Sequence, residues 1–206
     1  MKKLIETKVK KEDRDSLTKL IDKDEVQAVL KSTKNRKCPS PSGITYEFWK
    51  RWITRKKKDT KEEEEKEKDE IDMVGILTKV YNDIEKHGIT DKTSNKGIMY
   101  PLYKKKDRTR IENYRPLTML ETNYKIMTKI LAKRLGKVSP KLIHKDQAGF
   151  IPGRNLYDHI KLSQLMPEYA EKEKQDGIII SPDQEKVYDK VDHDYMWEIL
   201  EKFELP

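Results

Sequence analysis

Apolar side chains recur at helical spacing in several stretches of this chain, and the polar segments between them mark where each helix should begin and end. Leu17, Leu20, Ile21, Val26, Val29 and Leu30 form an amphipathic helical entry over residues 14–31, with Asp22 and Asp24 as start signals for a helix from about residue 25. The turn-forming loop Cys38-Pro39-Ser40-Pro41-Ser42-Gly43 leads into Tyr46, Phe48, Trp49 and Trp52, which predict a helix with an aromatic face, serving either the core or base stacking. Ile71, Val74, Ile76, Leu77, Val80, Tyr81 and Ile84 restore the helical pattern, and Gly88 stands where a C-cap belongs. Leu156, Ile160, Leu165, Met166 and Tyr169 predict another helix, which Pro167 should kink or stop, because an interior proline costs about 3 kcal/mol relative to alanine. Tyr195, Met196, Ile199, Leu200 and Phe203 predict a last helix over 193–203.

Extended segments have a different signature. Residues 97–103 read as a short strand, Lys104 to Arg110 as a basic turn, and Asn113 to Leu120 as a second extended segment in which Pro116 holds Arg115 in extended geometry. A β-hairpin with a basic tip follows, and lysines at a strand end can reach phosphates. The apolar run at 177–181 predicts a strand that leads to Asp183. Between these segments, a helix over about 123–136 carries Lys125, Lys129, Lys133 and Lys137 as one drifting stripe, with Met127, Ile130, Leu131 and Leu135 on the other side. A helix lying along a phosphate backbone needs such a stripe, although solvated lysines on an ordinary surface helix give the same pattern.

Composition sharpens this picture. With 40% charged and 34% hydrophobic residues over 206 positions, the core should be thin and the fold weakly stable. Lys and Arg number 45 against 37 acids, a net charge of +8 that favours a polyanion such as nucleic acid, although a merely soluble basic protein shares that balance. The bias peaks between Asn113 and Lys145, where eight cations face one acid, Glu121. In residues 55–70, fifteen of sixteen are charged, which reads as a solvated helix or disordered insert without chemistry. One cysteine, Cys38, and four scattered histidines leave no disulfide framework and no zinc-binding spacing, which suits a reducing compartment. No stretch approaches the roughly 20 apolar residues of a membrane span, and the first residues have no long apolar core, so the expectation is a soluble nuclear or cytoplasmic protein, not secreted.

Four strings, in this order, carry a resemblance: Asn35 to Trp49; Pro101 to Lys106 with Asn113-Tyr114-Arg115-Pro116; Asp146 to Arg154; and Asp183 to Val191. From about residue 20 onward the chain resembles the reverse transcriptase of LINE-type, non-LTR retrotransposons. The resemblance implies an RNA-directed DNA polymerase acting on an RNA template, an RNA-DNA hybrid and a deoxynucleoside triphosphate. It also implies an α+β, partial right-hand polymerase fold, with helix-rich fingers, a β-hairpin and the first palm strand, lacking the rest of the palm and the thumb. The corresponding division is 1–54, N-terminal helical fingers; 55–70, charged insert or linker; 71–176, fingers with the basic hairpin and basic helix; and 177–206, start of the palm. By the same resemblance Lys104 and Arg115 contact the incoming triphosphate, and Arg154 lies near template or nucleotide. Asp183 is then the first metal-binding aspartate, Gln184 offers a backbone carbonyl, and the cofactor is a pair of Mg2+ ions. Tyr188 packs under the sugar and rejects a 2′-hydroxyl. Each of these cations can also be a surface residue without a ligand, and Tyr188 a core tyrosine.

The chain departs from the family pattern in several places. Pro182 precedes Asp183 where a central strand is expected, Val187 replaces a small alanine, and Ser40-Pro41-Ser42-Gly43 replaces Gly-Pro-Asp-Gly. The Tyr/Phe-x-Asp-Asp string that supplies further metal-binding carboxylates does not occur. The sequence therefore reads as a truncated reverse transcriptase, catalytically incomplete by itself unless the remainder of the polymerase joins it. A non-enzymatic basic nucleic-acid-binding module is the alternative, with Lys125, Lys129, Lys133 and Lys137 as its backbone contacts, and an unfolded product of a decayed element is the third reading.

Overall fold

Asp22 begins the best-packed part of the chain. In the computed structural model, which describes residues 7–54, 71–88, 96–184 and 186–206, its side chain accepts a hydrogen bond from the Glu25 amide at 2.9 Å while Glu25 reaches back to the Asp22 amide at 3.3 Å. This reciprocal capping box satisfies two amides that the first turn leaves without helical partners, and it starts helix α2 (Lys23–Ser32). A separate short helix, α1 (Lys11–Thr18), precedes it, so the helical spacing over 14–31 belongs to two helices broken at residues 19–22. Helix α3 (Tyr46–Thr54) follows the Ser-Pro loop, and α4 (Met73–His87) ends at Gly88, whose φ of 79° is left-handed as the sequence suggests. Strands β1 (Gly97–Tyr103) and β2 (Tyr114–Leu120) form an antiparallel hairpin in the register Tyr103 opposite Tyr114 and Gly97 opposite Leu120. Helices α5 (Thr122–Leu142), α6 (Leu156–Lys172) and α7 (His193–Lys202) complete a mostly helical fold.

The described residues fall into two units, one within 20–132 and the other combining those up to Lys19 with those from Lys133 onward. The core of the first unit joins Val26, Val29 and Leu30 of α2, Val74, Leu77 and Tyr81 of α4, and Ile126, Met127 and Ile130 of α5. Tyr46, Trp49 and Ile53 pack against it from α3, so two of that helix's four aromatics serve the core, while Phe48 stays 44% exposed. Asn82 locks the entry to α2 with two bonds to the Ile21 backbone, at 2.8 and 2.9 Å. Tyr81 donates to the Asn123 carbonyl at 2.9 Å, and burial pushes its hydroxyl pKa well up. The second unit has a smaller core of Val9, Val138 and Leu142, lined by Leu17, Phe203 and Leu205. There Arg134, only 5% exposed, donates to the Leu17 carbonyl at 3.2 Å and to that of Lys19, capping the C-terminus of α1.

Three expectations fail locally. Helix α5 extends to Leu142, past the predicted end near 136, and its buried side is Ile126, Met127, Ile130, Arg134 and Val138, leaving Leu131 and Leu135 exposed at 45% and 40%. Pro140 lies inside this helix; the Gly136 carbonyl that loses a backbone donor there accepts from the Ser139 hydroxyl at 3.4 Å. Helix α6 likewise continues through Pro167, so the proline does not stop it, on a helix with no buried residue, where water can satisfy the released Ser163 carbonyl. Finally, no strand forms at 177–181: Ile178 and Ile180 are 91% and 81% exposed, and no described strand pairs with this run. An apolar run without a ladder partner leaves its backbone groups to solvent, and Pro182 removes one donor more.

Candidate functional site

In the first unit, the hairpin tip is a built structure. Asp107 accepts from the Thr109 amide at 2.9 Å and its hydroxyl at 2.8 Å, an Asx-type turn, and these two bonds hold its carboxyl below the usual range. Asn113 donates to the Asp107 carbonyl at 2.7 Å, Tyr114 to that of Arg108 at 2.8 Å, and Tyr103 to that of Lys106 at 2.6 Å. The Tyr103 and Tyr114 rings meet edge to face with centroids 5.6 Å apart, and the Arg108 guanidinium sits 4.7 Å from the Tyr103 centroid. Tip geometry is therefore fixed by side chain to backbone bonds, and the cations project from it. Lys104, Lys105, Lys106 and Arg115 are exposed, and none of them has an acidic partner among the described residues, whereas Arg110 pairs with Glu112 at 3.7 Å. Lys104 and Arg115, singled out from the sequence, lie at this one end of the hairpin: Lys104 follows the Tyr103-Tyr114 pair, and its amide donates to the Asn113 carbonyl at 3.0 Å.

The loop before α3 belongs to the same unit and is held by the single acid of the basic block. Glu121 accepts from the Ser42 amide at 3.0 Å and from the Ser42 hydroxyl at 2.6 Å. Desolvation pushes the Glu121 pKa up, yet the bonds from Ser42 and Ser40 and the nearby Lys125 charge outweigh it and hold the carboxyl below its ordinary value. Gly43, at φ 80°, closes the turn through its amide to the Ser40 carbonyl at 2.8 Å, and Thr122 donates to the Ile44 carbonyl at 3.1 Å. Sequence reading singled out Ser40 to Gly43 but missed Glu121 as the partner; its isolation among eight cations was the available signal.

Helix α5 carries the lysine stripe through both units. Lys125 and Lys129 lie in the first and are half-buried, Lys129 reaching the Ser32 carbonyl at 3.5 Å; Lys133 and Lys137 lie in the second and are exposed.

Within the second unit, Arg154 donates to four carbonyls: His144 at 2.5 Å and Gln147 at 2.7 Å through one guanidinium nitrogen, and Pro140 at 2.9 Å and Ile143 at 2.8 Å through the other. It thus ties the C-terminal end of α5, through Pro140, to the three loop residues that follow, where orphan carbonyls and the negative end of the helix dipole favour a cation. These bonds engage both terminal nitrogens that a phosphate would otherwise use. They also pin the loop that holds Phe150 at φ 62° and 93% exposed, a conformation non-glycine residues avoid. The Phe150 ring meets the Tyr188 ring edge to face, with centroids 6.4 Å apart. Tyr188, 74% exposed, sits in a turn opened by Lys186 at φ 49° and closed by the Asp189 amide to the Lys186 carbonyl at 2.9 Å. Phe150 escaped sequence reading, although a lone aromatic in a glycine- and proline-bearing loop was a visible cue.

Asp183 and Gln184 are exposed on the segment before this turn. Among the described residues no three His, Cys, Asp or Glu side chains cluster as metal ligands. Among the described residues Asp183 joins no ligand cluster, and one solvated carboxylate does not supply the oxygen set of a two-metal centre, so the described residues do not fit such a pair. No described helix is long and apolar enough to cross a membrane.

Residues 103–206 match the family described as reverse transcriptase (RNA-dependent DNA polymerase). The chain is also 30% identical over 181 residues to the "Transposon TX1 uncharacterized 149 kDa protein" of Xenopus laevis; the alignment covers 87% of this chain and 12% of that protein.

Proposed function

The chain belongs to the reverse transcriptase (RNA-dependent DNA polymerase) family, and on that premise we propose that it holds a deoxynucleoside triphosphate and the backbone of an RNA template or RNA-DNA hybrid in RNA-templated DNA synthesis of the non-LTR retrotransposon kind. The observation that carries this reading is the hairpin tip, whose fold is fixed by its own polar residues while Lys104, Lys105, Lys106 and Arg115 lack acidic partners among the described residues. Cations pre-positioned in this way neutralise phosphate charge without first breaking an ion pair. Lys104 and Arg115 serve the triphosphate, Tyr188 faces the sugar, and Lys133 and Lys137 meet the nucleic-acid backbone.

A non-enzymatic nucleic-acid-binding role on the same cations is the second reading, favoured by the lack of a metal-ligand cluster among the described residues. Titration of the purified chain with dATP and Mg2+, in wild type and in Lys104→Ala/Arg115→Ala, separates the two. The nucleotide reading expects saturable binding by wild type and its loss in the double variant. Nucleic-acid binding by a wild-type chain that takes up no nucleotide would leave only the second reading.

A further inference from the structure

A side chain that discriminates by steric exclusion works only if it cannot swing away. Tyr188, read above as the residue facing the sugar, is 74% exposed, so no core wall holds its ring. What stands against it is Phe150, with centroids 6.4 Å apart and planes at 79°, the edge-to-face geometry that aromatic pairs favour. Phe150 itself is 93% exposed and sits at φ 62°. An exposed aromatic in left-handed backbone gains nothing from burial and is disfavoured by its own main chain; such outliers persist where the surroundings over-determine them. Here the surroundings are the loop ends: Arg154 ties the loop to four carbonyls, and the Ile151 and Arg154 amides donate to the Ala148 and Ile151 carbonyls at 3.5 and 3.3 Å.

We propose that Phe150 is a positioning residue for Tyr188: its ring, presented by the Arg154-anchored loop, fixes the tyrosine ring and thereby sets discrimination between deoxyribose and ribose in the bound nucleotide. This rests on the nucleotide reading of Tyr188 given above. Phe150 does not touch the nucleotide in this scheme and acts through the tyrosine alone. Arg154 then contributes at one remove, by holding the loop that carries the phenylalanine, which is a different task from binding phosphate.

The test is calorimetric titration of the full chain with dATP and, separately, with ATP, each with Mg2+, two ligands that differ only at the 2′ position. Wild type should favour dATP, and Phe150→Ala should narrow that preference by about twofold to tenfold, the worth of one edge-to-face aromatic contact. Phe150→Tyr, which keeps the ring, should retain the preference. Adding Phe150→Ala to Tyr188→Ala should change nothing further. Phe150→Gly relieves the left-handed backbone, so it should melt no lower than wild type and still lose the preference, an outcome that a purely structural role would not give. A dATP-to-ATP ratio in Phe150→Ala equal to that of wild type would overturn the inference while leaving the nucleotide reading intact. A wild-type chain that binds the two equally, or binds neither, would overturn the reading of Tyr188 and this inference with it.

Discussion

Replacing Ser42 by aspartate restores the residue that the family pattern carries in this loop, and in this chain the substitution should be harmful. The Ser42 hydroxyl lies 2.6 Å from one Glu121 oxygen and its amide 3.0 Å from the other. Ser42→Ala removes the hydroxyl's bond to Glu121 and its 2.9 Å contact with the Ser40 hydroxyl while keeping the amide bond; hydrogen bonds to charged groups contribute about 1.5–3 kcal/mol, and solvent at this partly exposed site reduces that to about 1 kcal/mol. Ser42→Asp places a second carboxylate there instead. Two like charges about 4 Å apart repel by about 1 kcal/mol in water and about 4 kcal/mol at an effective dielectric of 20, so a further 1–3 kcal/mol is expected. The pH dependence has opposite signs in the two proteins. In wild type the lowered Glu121 pKa contributes stability that is complete above the unfolded-state value and lost as pH falls through the folded one. In Ser42→Asp the facing carboxylates raise each other's pKa, so the destabilisation is greatest at neutral pH and is relieved by protonation. Urea unfolding followed by far-UV circular dichroism, at pH 7 and pH 4, reads both effects. The reasoning fails if Ser42→Asp lies within about 0.5 kcal/mol of Ser42→Ala at pH 7, or if the gap between them does not shrink at pH 4.

Ile130→Ala should cost about 2–5 kcal/mol as a core truncation, whereas Leu131→Ala, one residue on, should stay within about 0.5 kcal/mol; thermal melting distinguishes them, and equal effects would contradict the buried face assigned to α5. Arg154→Ala should destabilise by about 2–3 kcal/mol through the loss of its carbonyl bonds, and Arg154→Lys should recover only part of this, because an ammonium cannot reproduce the two-pronged geometry. For binding to single-stranded RNA, log affinity should fall linearly with log salt, and removing Lys104 and Arg115 together should flatten that slope by about 1.4 units; an unchanged slope removes the tip from the interface. In a primer-extension assay with Mg2+ or Mn2+, the purified 206-residue chain should not exceed an Asp183→Ala control; template-dependent incorporation above that control would refute this expectation.

Sequence reading succeeded where local chemistry decides local structure. The hairpin emerged from Pro116 and the two apolar runs flanking a basic turn, and the end of α4 from Gly88, because caps and turns act within a few residues of their own sequence. The start of α2, expected near residue 25 from Asp22 or Asp24, lies two residues earlier with Asp22 as its cap. It failed where the outcome depends on what lies opposite. The run Ile178 to Ile180 has strand composition, yet a strand exists only against a partner, and no described strand pairs with it. Leu131 and Leu135 look like core from spacing alone; the buried line instead passes through Arg134, a cation whose partners are carbonyls more than a hundred residues earlier. Arg154 shows the same limit at the candidate site. A cation in a glycine loop is expected near phosphate as readily as on backbone carbonyls, and the four oxygens around Arg154, drawn from residues 140–147, have no signature in the sequence.

The division of the core has a consequence for how the chain is made. Residues 20–132 form a contiguous unit that can assemble as soon as α5 emerges from the ribosome. Val9 and α1, although synthesised earlier, find their partners only later: Val138 and Leu142 for packing, Arg134 for the end of α1, and the Phe203 carbonyl for the Val9 amide at 2.9 Å. Contacts of such wide sequence separation close slowly, because the loop entropy is lost before any contact compensates for it. Nascent chains halted only after residue 132 has cleared the ribosome should therefore already protect α2 and α4 from proteolysis while α1 remains open to cleavage.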